Sequence, residues 1–397
     1  MSDEGAKALM GPAISPPGTI GILGGGQLGR MLGSAARAMG YGVRVLDPDP
    51  ECPSAAIADH VEVGSYSDVD AAVRMARGCE VVTYELEHVD AALVIAITEA
   101  GVPVRPGIVP LRVTQDRLAE RRFVSGLDIA VAPWREVESG DDDGLAAAIS
   151  ELGMPVRLKA AFGGYDGRSQ IRIATGRGRA LAWMDLGRPA GQPVLVEREL
   201  QFAAELSVIC ARSLDGETVS FPVARNVHDD GILVESVMPA DVAPEVAAAA
   251  RSIAAQLAEA MDLVGLLTVE LFLLGDGSLV VNELAPRVHN SGHATIDASA
   301  TSQFEQHIRA ICGLPLGAVD SLAPAAMVNL LGTGPRRTAR LDGLAEALSD
   351  PRVHVYVYGK REVFERRKMG HVTATGASTD AALDAARAAI PRLRWMP

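Results

Sequence analysis

The chain has 397 residues, of which 48% are hydrophobic and 22% are charged. This composition is typical of a globular protein and excludes disorder or a coiled coil as the main state. At ~100–200 residues per domain, the length predicts about two to four domains. The 37 basic residues are outnumbered by 50 acidic ones, which gives a net charge of −13. A field of this sign repels nucleic acid and anionic membranes, so we expect neither as a partner.

The sequence also indicates a cellular compartment. Four cysteines lie far apart without a C-x-x-C pair: Cys52, Cys79, Cys210 and Cys312. They predict buried free thiols in a reducing cytoplasm, and neither a zinc site nor a disulfide framework. The N-terminal residues have no basic segment followed by an apolar core, so we expect no signal peptide. No uncharged apolar run approaches the ~18 residues that a membrane-spanning helix needs. We therefore expect a cytoplasmic protein.

The first part of the chain alternates between short apolar strands and helices. After a frayed tail over residues 1–18, the predicted strands are 19–23, 43–47, 61–63 and 80–83. The predicted helices are 26–40, 67–77 and 91–100. Alternation at this spacing predicts an α/β domain with a doubly wound, Rossmann-like parallel sheet over residues 19–114.

The rest of the chain has an α+β pattern. Residues 115–313 contain a charged helix over 115–124, a long Ala-rich helix over 243–261, and strands at 155–159, 170–174, 194–197, 205–211, 266–274 and 278–284. Residues 314–397 contain strands at 326–330, 353–358 and 371–375 and a helix near 380–389. We predict a central domain followed by a small, β-rich C-terminal domain.

The first motif is a glycine-rich turn between a predicted strand and a predicted helix. Gly24, Gly26 and Gly29 match G-x-G-x-x-G, and Asp47 ends the next strand. Glycine lets an anion approach the backbone N–H groups of a helix N-terminus. The pattern alone favours a dinucleotide with Asp47 on its ribose. Another phosphorylated ligand and glycines that serve only packing remain alternatives, because a lone match is weak.

The second motif is a basic residue at a strand end, followed by a glycine-rich loop. Lys159 ends a predicted strand, and Gly163, Gly164 and Gly167 follow it. A fixed cation beside flexible glycines fits a lid over a polyphosphate. The loop is not a Walker A motif, because Phe162 stands at the matching glycine place. The alternative is an ordinary hairpin tip.

The third motif is a predicted β-hairpin that carries two glutamates. Asp276-Gly277 between two apolar runs predicts a two-residue type I′ turn. That turn sets Glu270 directly opposite Glu283 on otherwise apolar strands. Facing carboxylates repel each other, so we expect a cation between them. Mg²⁺ is favoured because one or two carboxylates plus substrate phosphates usually hold it. The alternatives are exposed glutamates or salt bridges to Arg287 or a lysine.

A polar loop follows the hairpin and contains Arg287, His289, Asn290 and His293. The two histidines have a metal-like i, i+4 spacing. Asn-Ser-Gly between them argues against a helix, and no glutamate follows the first histidine as H-E-x-x-H requires. A cluster that binds a small anion is better supported, because arginine binds carboxylate-like oxyanions in a bidentate manner.

The fourth motif is a basic run inside an acidic chain. Its charged residues are Lys360, Arg361, Glu362, Glu365, Arg366, Arg367 and Lys368. On charge alone we favour a solvated hairpin over a phosphate site. Nucleic-acid binding is not expected, because the net charge is negative and stacking aromatic residues are missing.

Taken in order, four segments resemble the 5-(carboxyamino)imidazole ribonucleotide synthase family: GGGQLGRM, GGYDGR after Lys159, VNELAPRVHNSGH, and YGK with RKMGH. The resemblance extends from about residue 19 to the end. It implies an ATP-grasp ligase of purine biosynthesis with a Rossmann-like domain (19–114), an ATP-grasp domain with a glycine lid (115–313) and a C-terminal domain (314–397). It also implies that the glycine turn serves a ribonucleotide and not a dinucleotide.

The implied reaction joins bicarbonate to 5-aminoimidazole ribonucleotide through carboxyphosphate, with release of ADP and phosphate. Its cofactors would be ATP and Mg²⁺, with two ions expected and Mn²⁺ as a possible substitute. The amine would attack either carboxyphosphate or released CO₂, and the sequence does not distinguish these. We expect small-molecule substrates and a homodimer.

The resemblance further implies roles for individual residues. ATP contacts fall on Arg117, Lys159, Gly164, Tyr165, Asp166, Gly167, Arg168, Ser169, Gln170, Glu197, Arg198, Glu199, Leu200, Glu205, His228, Asn282 and Glu283. Mg²⁺ falls on Glu270 and Glu283, and bicarbonate on Arg287, His289 and Asn290. The ribonucleotide falls on Gln27, Leu28, Glu85, Tyr165, Asp166, Lys360, Arg367 and Lys368. The catalytic set is Lys159, Tyr165, Asp166 and Arg287, in which Asp166 orients or deprotonates the amine.

Three positions depart from the family pattern. Ser169 stands where a lid glycine is typical, Arg121-Arg122 where a lysine is common, and His88 where asparagine is common. Other functions remain open at this point. They are another ATP-grasp or formyl-transfer enzyme on a related ribonucleotide, an NAD(P)-dependent oxidoreductase, and a non-catalytic nucleotide sensor.

Overall fold

A computed structural model describes residues 13–163 and 170–396 of the chain, without the side chains of residues 177–181. Its N-terminal part is a parallel sheet with the strand order β3-β2-β1-β4. The strands are β1 (Thr19–Leu23), β2 (Gly42–Asp47), β3 (His60–Val63) and β4 (Val81–Tyr84). The helices are α1 (Gln27–Ala38), α2 (Val69–Ala76) and α3 (Ala91–Glu99), with a 3-10 helix at Pro53–Ala56.

Helices cover both faces of this sheet, which explains why its strands are almost continuously apolar. On one face, Ile20 and Ile22 belong to a core that includes α1. On the other face, Leu23 packs with residues of α2 and α3. The predicted doubly wound sheet is therefore confirmed.

Two helices lead from this sheet into the central part, α4 (Ile108–Gln115) and α5 (Arg117–Ser125). The predicted helix over 115–124 therefore begins two residues too early. Asp116 has an extended backbone conformation, and its side chain accepts the N–H of Leu118 at 2.8 Å. This N-cap begins α5 at Arg117, because it satisfies a backbone donor that the helix leaves unpaired.

The central part contributes an antiparallel sheet with the order β5-β8-β6-β7. Its strands are β5 (Trp134–Glu138), β6 (Val156–Ala160), β7 (Gln170–Ile173) and β8 (Pro193–Arg198). Its helices are α6 (Asp142–Leu152) and α7 (Gly176–Leu186). Lys159 lies on β6 and pairs with Gln170 on β7, at the two ends of the segment predicted to be a lid.

The remaining strands are β9 (Ala204–Arg212), β10 (Thr218–Ser220), β11 (Ala224–Asp229), β12 (Ile232–Met238), β13 (Gly265–Leu273), β14 (Leu279–Ala285), β15 (Ala325–Leu331), β16 (Arg337–Thr338), β17 (Leu341–Asp342), β18 (Val353–Val357), β19 (Glu362–Val363), β20 (Lys368–Thr375) and β21 (Arg394–Trp395). The remaining helices are α8 (Pro244–Ala260), α9 (Thr295–Ala298), α10 (Gln303–Ile311), α11 (Leu344–Ala347) and α12 (Thr379–Ala389), with 3-10 helices at Asn290–Gly292 and Ile390–Arg392.

Nine of these strands form one large sheet. Its order is β14-β13-β9-β11-β12-β15-β20-β18, with β10 paired to β9. The C-terminal strands β15, β20 and β18 thus extend the central sheet, because β12 pairs antiparallel with β15. Two-stranded pairings join β16 to β19 and β17 to β21. Within the described ranges, no helix has the length and apolar character needed to cross a bilayer.

Candidate active site

The two glutamates of the third motif face each other across the β13–β14 hairpin. Glu270 is the cross-strand partner of Glu283, as predicted. The predicted two-residue turn, however, is wrong. The N–H of Leu274 bonds the carbonyl of Ser278 at 2.9 Å, so residues 275–277 form a three-residue loop. Gly277 occupies its left-handed position at φ +87°. This is the type I turn with a following left-handed residue that three-residue hairpins favour.

A β-bulge restores the pairing that the longer turn would have shifted. Near the turn, Leu271 pairs with Val281, whereas the next pair is Glu270 with Glu283. Asn282 is therefore an extra residue on β14, opposite no residue of β13. Its Nδ2 lies 3.5 Å from Oε2 of Glu270. The turn and the bulge each add one residue, so their effects on the register cancel.

The surroundings of this pair fit a divalent cation. Burial raises the pKa of Glu270; the charge of His228 opposes this shift, and those of Glu283 and Glu205 add to it. Nε2 of His289 lies 3.4 Å from Oε1 of Glu270. Among the described residues, no group of three or more His, Cys, Asp or Glu could hold a metal by itself. Two carboxylates are a fitting protein share for Mg²⁺, which takes its other oxygen ligands from phosphates and water.

A buried ion network lies on the side of the smaller sheet. Nζ of Lys159 donates to Oε2 of Glu197 at 2.7 Å, and Nε of Arg121 donates to Oε1 at 2.7 Å. Burial raises the pKa of Glu197, but the charges of Arg121 and Lys159 outweigh this effect and hold it at about 2. Lys159 is therefore fixed by a carboxylate before any phosphate binds.

Sequence reasoning missed the role of Arg121, which is only 1% exposed. A signal was present in the helical spacing. Leu118 and Val124 lie three residues before and after Arg121 and are buried on the same face of α5. A charged residue between two apolar residues at this spacing points into the protein.

The side chains that follow Glu197 are held by the smaller sheet. Nε of Arg198 donates to the carbonyl of Leu152 at 2.6 Å, and Glu199 forms a salt bridge with Arg172 at 2.7 Å. Leu200 is partly exposed. Arg117 donates from Nη1 to the carbonyl of Ala160 at 2.9 Å. The side chains of Arg117, Arg198 and Glu199 are therefore engaged within the protein.

Glu205 and His228 pair across neighbouring strands of the large sheet. The Glu205 carboxylate hydrogen-bonds Nδ1 of His228. Burial lowers the pKa of His228. The hydrogen bond to Glu205 and the charge of Glu270 raise this pKa by more than burial lowers it, so the net shift is upward. Lys368 also lies within electrostatic reach of His228 and Glu270. The structure therefore brings these four predicted residues into one neighbourhood.

Arg287 of the polar loop is bound by a residue that the sequence did not point to. Its guanidinium forms two hydrogen bonds with the Glu87 carboxylate, of which Nη2 to Oε1 is 3.0 Å. Burial and the charges of Arg287, Lys368 and His228 hold the pKa of His289 well below its usual range. The imidazole of His289 is therefore neutral beside the arginine.

The rest of the loop is built into the large sheet. Asn290 and Asn329 exchange side-chain hydrogen bonds of 3.2 and 2.6 Å. His293 is fully buried, and its ring centroid lies 4.5 Å from that of His371. His289 and His293 thus do not act as a pair.

The backbone N–H groups of the glycine turn donate to carboxylates of the same domain. The N–H groups of Gly26 and Gly29 donate to Glu85, and the N–H of Gly25 donates to Asp47 at 2.8 Å. Tyr66 also donates to Asp47, at 2.7 Å. The dinucleotide interpretation is therefore wrong, because internal carboxylates occupy the donors that would bind a pyrophosphate. Burial raises the pKa of Glu85, and its two backbone bonds oppose this shift.

The substrate residues predicted in this domain begin α1. Gln27 and Leu28 form its first turn and are half-buried, and Leu28 packs against the N-terminal core. A cavity of about 430 Å³ lies nearby at the carboxyl ends of the parallel strands. Its lining residues are Tyr66, Ser67, His88, Val89, Asp90, Ala91 and Gln115.

Most arginines of the basic run contact other parts of the protein. Arg361 pairs with Asp49 and Glu51 of the N-terminal domain, and Arg366 donates to Asp229 at 2.8 Å. Both side chains stay in contact with solvent, Arg361 at 54% and Arg366 at 36% exposure, so these ion pairs form on a solvated surface.

The residues predicted to bind phosphate in this run bond to its backbone. Nζ of Lys360 donates to the carbonyl of Lys368 at 2.7 Å, and Nη1 of Arg367 donates to that of Glu362 at 2.6 Å. The predicted lid residues Gly164, Tyr165, Asp166, Gly167, Arg168 and Ser169 lie outside the described residues.

Three family models match consecutive parts of the chain. They are a ribonucleotide synthetase preATP-grasp domain over residues 18–115, an ATP-grasp domain over residues 122–304, and a phosphoribosylaminoimidazole carboxylase C-terminal domain over residues 325–385. Together they cover most of the three larger sheets described above.

Two relatives that are matched over nearly their whole length carry the same name. The N5-carboxyaminoimidazole ribonucleotide synthase of Brucella melitensis is 41% identical over 361 residues, 91% of this chain and 97% of that protein. The enzyme of that name from Bacillus subtilis is 42% identical over 363 residues, 91% of this chain and 92% of that protein.

Solved structures agree with these relatives. The N5-carboxyaminoimidazole synthetase of Staphylococcus aureus complexed with ADP has a TM-score of 0.86 at 32% identity, and covers 96% of this chain and 99% of its own. The Aspergillus clavatus synthase in complex with ADP and 5-aminoimidazole ribonucleotide has a TM-score of 0.84 at 30% identity, over 94% and 98%. The resemblance inferred from the four motifs is confirmed. The chain belongs to the N5-carboxyaminoimidazole ribonucleotide synthase family.

Proposed function

We propose that this chain uses ATP and bicarbonate to carboxylate the amino group of 5-aminoimidazole ribonucleotide in purine biosynthesis. The products are N5-carboxyaminoimidazole ribonucleotide, ADP and phosphate. The observation that carries this proposal is the cross-strand pair Glu270 and Glu283 in a chain that matches its relatives over nine-tenths of its length.

The chemistry explains why a nucleotide is needed. Bicarbonate is a poor electrophile, and its phosphorylation to carboxyphosphate activates the carbon. Phosphoryl transfer is catalysed mainly by positioning and by neutralising charge. Lys159 neutralises phosphate charge, and the Glu197 carboxylate holds its ammonium in place. When bound, Mg²⁺ on Glu270 and Glu283 supplies further neutralisation of the phosphates.

Arg287 and His289 serve the bicarbonate. The guanidinium offers the planar donors that an oxyanion needs, while Glu87 fixes its orientation. His289 is neutral and adds no second positive charge. Asn290 is held by Asn329 and completes the anion site.

The lid and the C-terminal run serve the ribonucleotide. Tyr165 and Asp166 belong to the substrate site, and Asp166 orients the amine or removes its proton. Lys360, Arg367 and Lys368 bind the ribose phosphate, and Gln27, Leu28 and Glu85 line the pocket from the glycine turn. A closed lid excludes water and protects carboxyphosphate from hydrolysis.

The proposal also covers the number of metal ions, the oligomeric state and the location of the enzyme. Two Mg²⁺ ions are bound, which Mn²⁺ can replace, and the protein is a cytoplasmic homodimer. Sedimentation measures the oligomer, and titration of metal into the ADP complex counts the ions.

An ADP-release assay tests the proposed function. Purified protein receives MgATP with 5-aminoimidazole ribonucleotide and bicarbonate, and each is then omitted in turn. We expect full ADP release only with both, and a carboxylated product by mass spectrometry. Ribonucleotide-dependent ADP release that is indifferent to bicarbonate would instead assign a different ATP-grasp reaction.

A further inference from the structure

Helix α5 carries a buried ion network that binds both flanks of the metal-binding strand. Three nitrogens of Arg121 each have a separate acceptor: Nε bonds Oε1 of Glu197, Nη1 bonds Oε1 of Glu120, and Nη2 bonds the carbonyl of Asn282, all at 2.7 Å. The Arg121 side chain is 2% exposed. The second oxygen of Glu120 accepts the N–H of Leu284 at 2.9 Å.

These contacts bracket Glu283. Asn282 precedes Glu283 and Leu284 follows it, so α5 binds the backbone on both sides of one carboxylate. β14 is the edge strand of the large sheet. Backbone groups on the open edge of such a strand have no strand partner. The pair of Glu120 and Arg121 takes that place, at the bulge that keeps Glu283 opposite Glu270.

The same network reaches the other sheet. Glu197 of β8 binds Arg121 with one oxygen and Lys159 with the other. Arg121 thus joins β14, the strand that carries Glu283, to the lysine that is proposed to bind the phosphates. A rigid link between the two sets the distance between the metal and the phosphate sites.

Removing these charges from water raises the free energy of the folded state, unless well-placed ion pairs and hydrogen bonds offset the lost hydration. A buried ion network can often be replaced by packed apolar residues without loss of stability. The acceptors of Arg121 lie on three different elements, and only a planar fork with separate nitrogens reaches all of them. A lysine side chain has a single nitrogen and cannot donate from three separate positions to these acceptors. Arg121 is therefore suited to positioning, and it touches neither of the two carboxylate side chains of the hairpin.

We propose that Arg121, together with Glu120, is a positioning residue for metal-dependent nucleotide binding. It holds the bulge at Asn282 so that Glu270 and Glu283 face one metal at a fixed place relative to Lys159. This inference rests on the proposed function in one respect, which is that these two glutamates hold the metal.

Calorimetry of ADP binding, in Mg²⁺ and in EDTA, tests the inference with a readout besides activity. The variants are Arg121→Met, Arg121→Lys and the control Arg122→Met. Arg122 is the neighbouring residue; its side chain is 55% exposed and pairs with Glu136 at the surface. For the wild type and the control, we expect Mg²⁺ to tighten ADP binding equally. For Arg121→Met, we expect this tightening to fall by about 10–100-fold, as for other residues that orient metal ligands.

The remaining measurements separate positioning from simple stabilisation. ADP affinity in EDTA should change by less than about threefold in Arg121→Met, and Arg121→Lys should recover part of the Mg²⁺ effect. In turnover, the KM for MgATP should rise while that for the ribonucleotide stays within about twofold. Equal losses in Mg²⁺ and EDTA, or a lower melting temperature with an unchanged Mg²⁺ effect, would overturn the inference.

Two further outcomes have defined meanings. If Arg121→Met does not fold, Glu120→Gln tests the other half of the clamp, and an intact Mg²⁺ effect there overturns the inference. If wild-type ADP binding does not depend on Mg²⁺, the proposed metal site itself fails, which is distinct from failure of the clamp alone.

Discussion

Glu283 and Glu270 face each other but differ in their surroundings. Glu283 is exposed, whereas the Glu270 side chain is 17% exposed and lies beside His289. The exposed carboxylate contributes little to the core, so its removal should affect chemistry and not folding. The pair therefore offers a direct separation of function from stability.

We predict that Glu283→Gln lowers ADP release by at least ~100-fold, because the neutral amide is a weaker ligand than the carboxylate and the charge proposed to hold the metal is halved. The melting temperature should stay within about 2 °C, as for most surface substitutions. Glu259→Gln, on an exposed face of α8, is the matched control and should keep full activity. Turnover of Glu283→Gln near the wild-type rate would contradict the metal assignment.

Glu87 is the second residue whose effect on function can be tested separately from its effect on other properties of the site. Burial raises the pKa of Glu87, but the charge of Arg287 and its hydrogen bonds outweigh this and hold it at about 2. A neutral amide at this position leaves the buried guanidinium without its counter-ion and free to rotate. The consequence should fall on the bicarbonate that Arg287 is proposed to bind.

For Glu87→Gln we predict a rise of about tenfold in the KM for bicarbonate, equivalent to ~1.4 kcal/mol. The KM for ATP should stay within about twofold, and steady-state kinetics with each substrate varied measures both. Glu62→Gln, which breaks an ion pair with Arg74 far from the site, should change neither constant. Parallel increases in both constants would show that Glu87 supports the whole site instead.

At the scale of elements, local patterns predicted strands and helices well but not what lies against them. The β1–α1 glycine turn was identified correctly, yet its ligand is Glu85, which lies 59 residues beyond Gly26. The C-terminal strands were predicted individually, but their pairing onto β12 depends on contacts about 90 residues apart. Such long-range partners leave no periodic signal in one sequence.

The hairpin illustrates how a correct conclusion can rest on an incorrect step. Asp276-Gly277 suggested a two-residue turn, and the predicted pairing of Glu270 with Glu283 followed from it. The actual loop is one residue longer, and the bulge at Asn282 compensates. No residue type marks a bulge reliably, since it is set here by the contacts of β14 with α5.

A one-residue insertion in the hairpin tests this compensation. An alanine inserted after Asn282 moves Glu283 one position further from Val281, and a one-residue slip turns a side chain to the other face of the sheet. We predict that this insertion abolishes the Mg²⁺ effect on ADP binding, measured by calorimetry. Deletion of Gly275 shortens the loop to Asp-Gly but keeps Leu274 opposite Ser278, so it should retain the effect within about threefold. Similar losses in both variants would contradict the role of the hairpin register.

At the scale of the whole molecule, the N-terminal domain docks on the large sheet through a few specific contacts. α10 packs against α1, and Nε2 of His307 hydrogen-bonds Oγ1 of Thr83 at 2.8 Å. Arg361 adds ion pairs to Asp49 and Glu51 on the opposite side. These contacts fix the N-terminal domain against the large sheet and the C-terminal strands.

His307 makes this docking sensitive to pH. Burial lowers its pKa to about 3. In the unfolded chain the imidazole binds a proton near pH 6.5. Between these values the unfolded state binds more protons than the folded state, so the contribution of His307 to the free energy of unfolding falls as the pH decreases. The loss begins near pH 6.5 and grows by about 1.4 kcal/mol per pH unit below it.

We therefore predict that His307→Gln changes the pH dependence of stability. Between pH 7.5 and 5.5, the wild type should lose about 1.4 kcal/mol relative to the variant, as measured by urea unfolding of both proteins at each pH. The difference between the two proteins isolates His307 from the other titrating groups. Thr83→Val serves as the control, because it removes the hydrogen bond but leaves the buried imidazole. It should lower stability by about 1 kcal/mol at every pH and keep the wild-type slope. Identical slopes for the wild type and His307→Gln would mean that the imidazole titrates alike in both states, and that its burial does not control the docking.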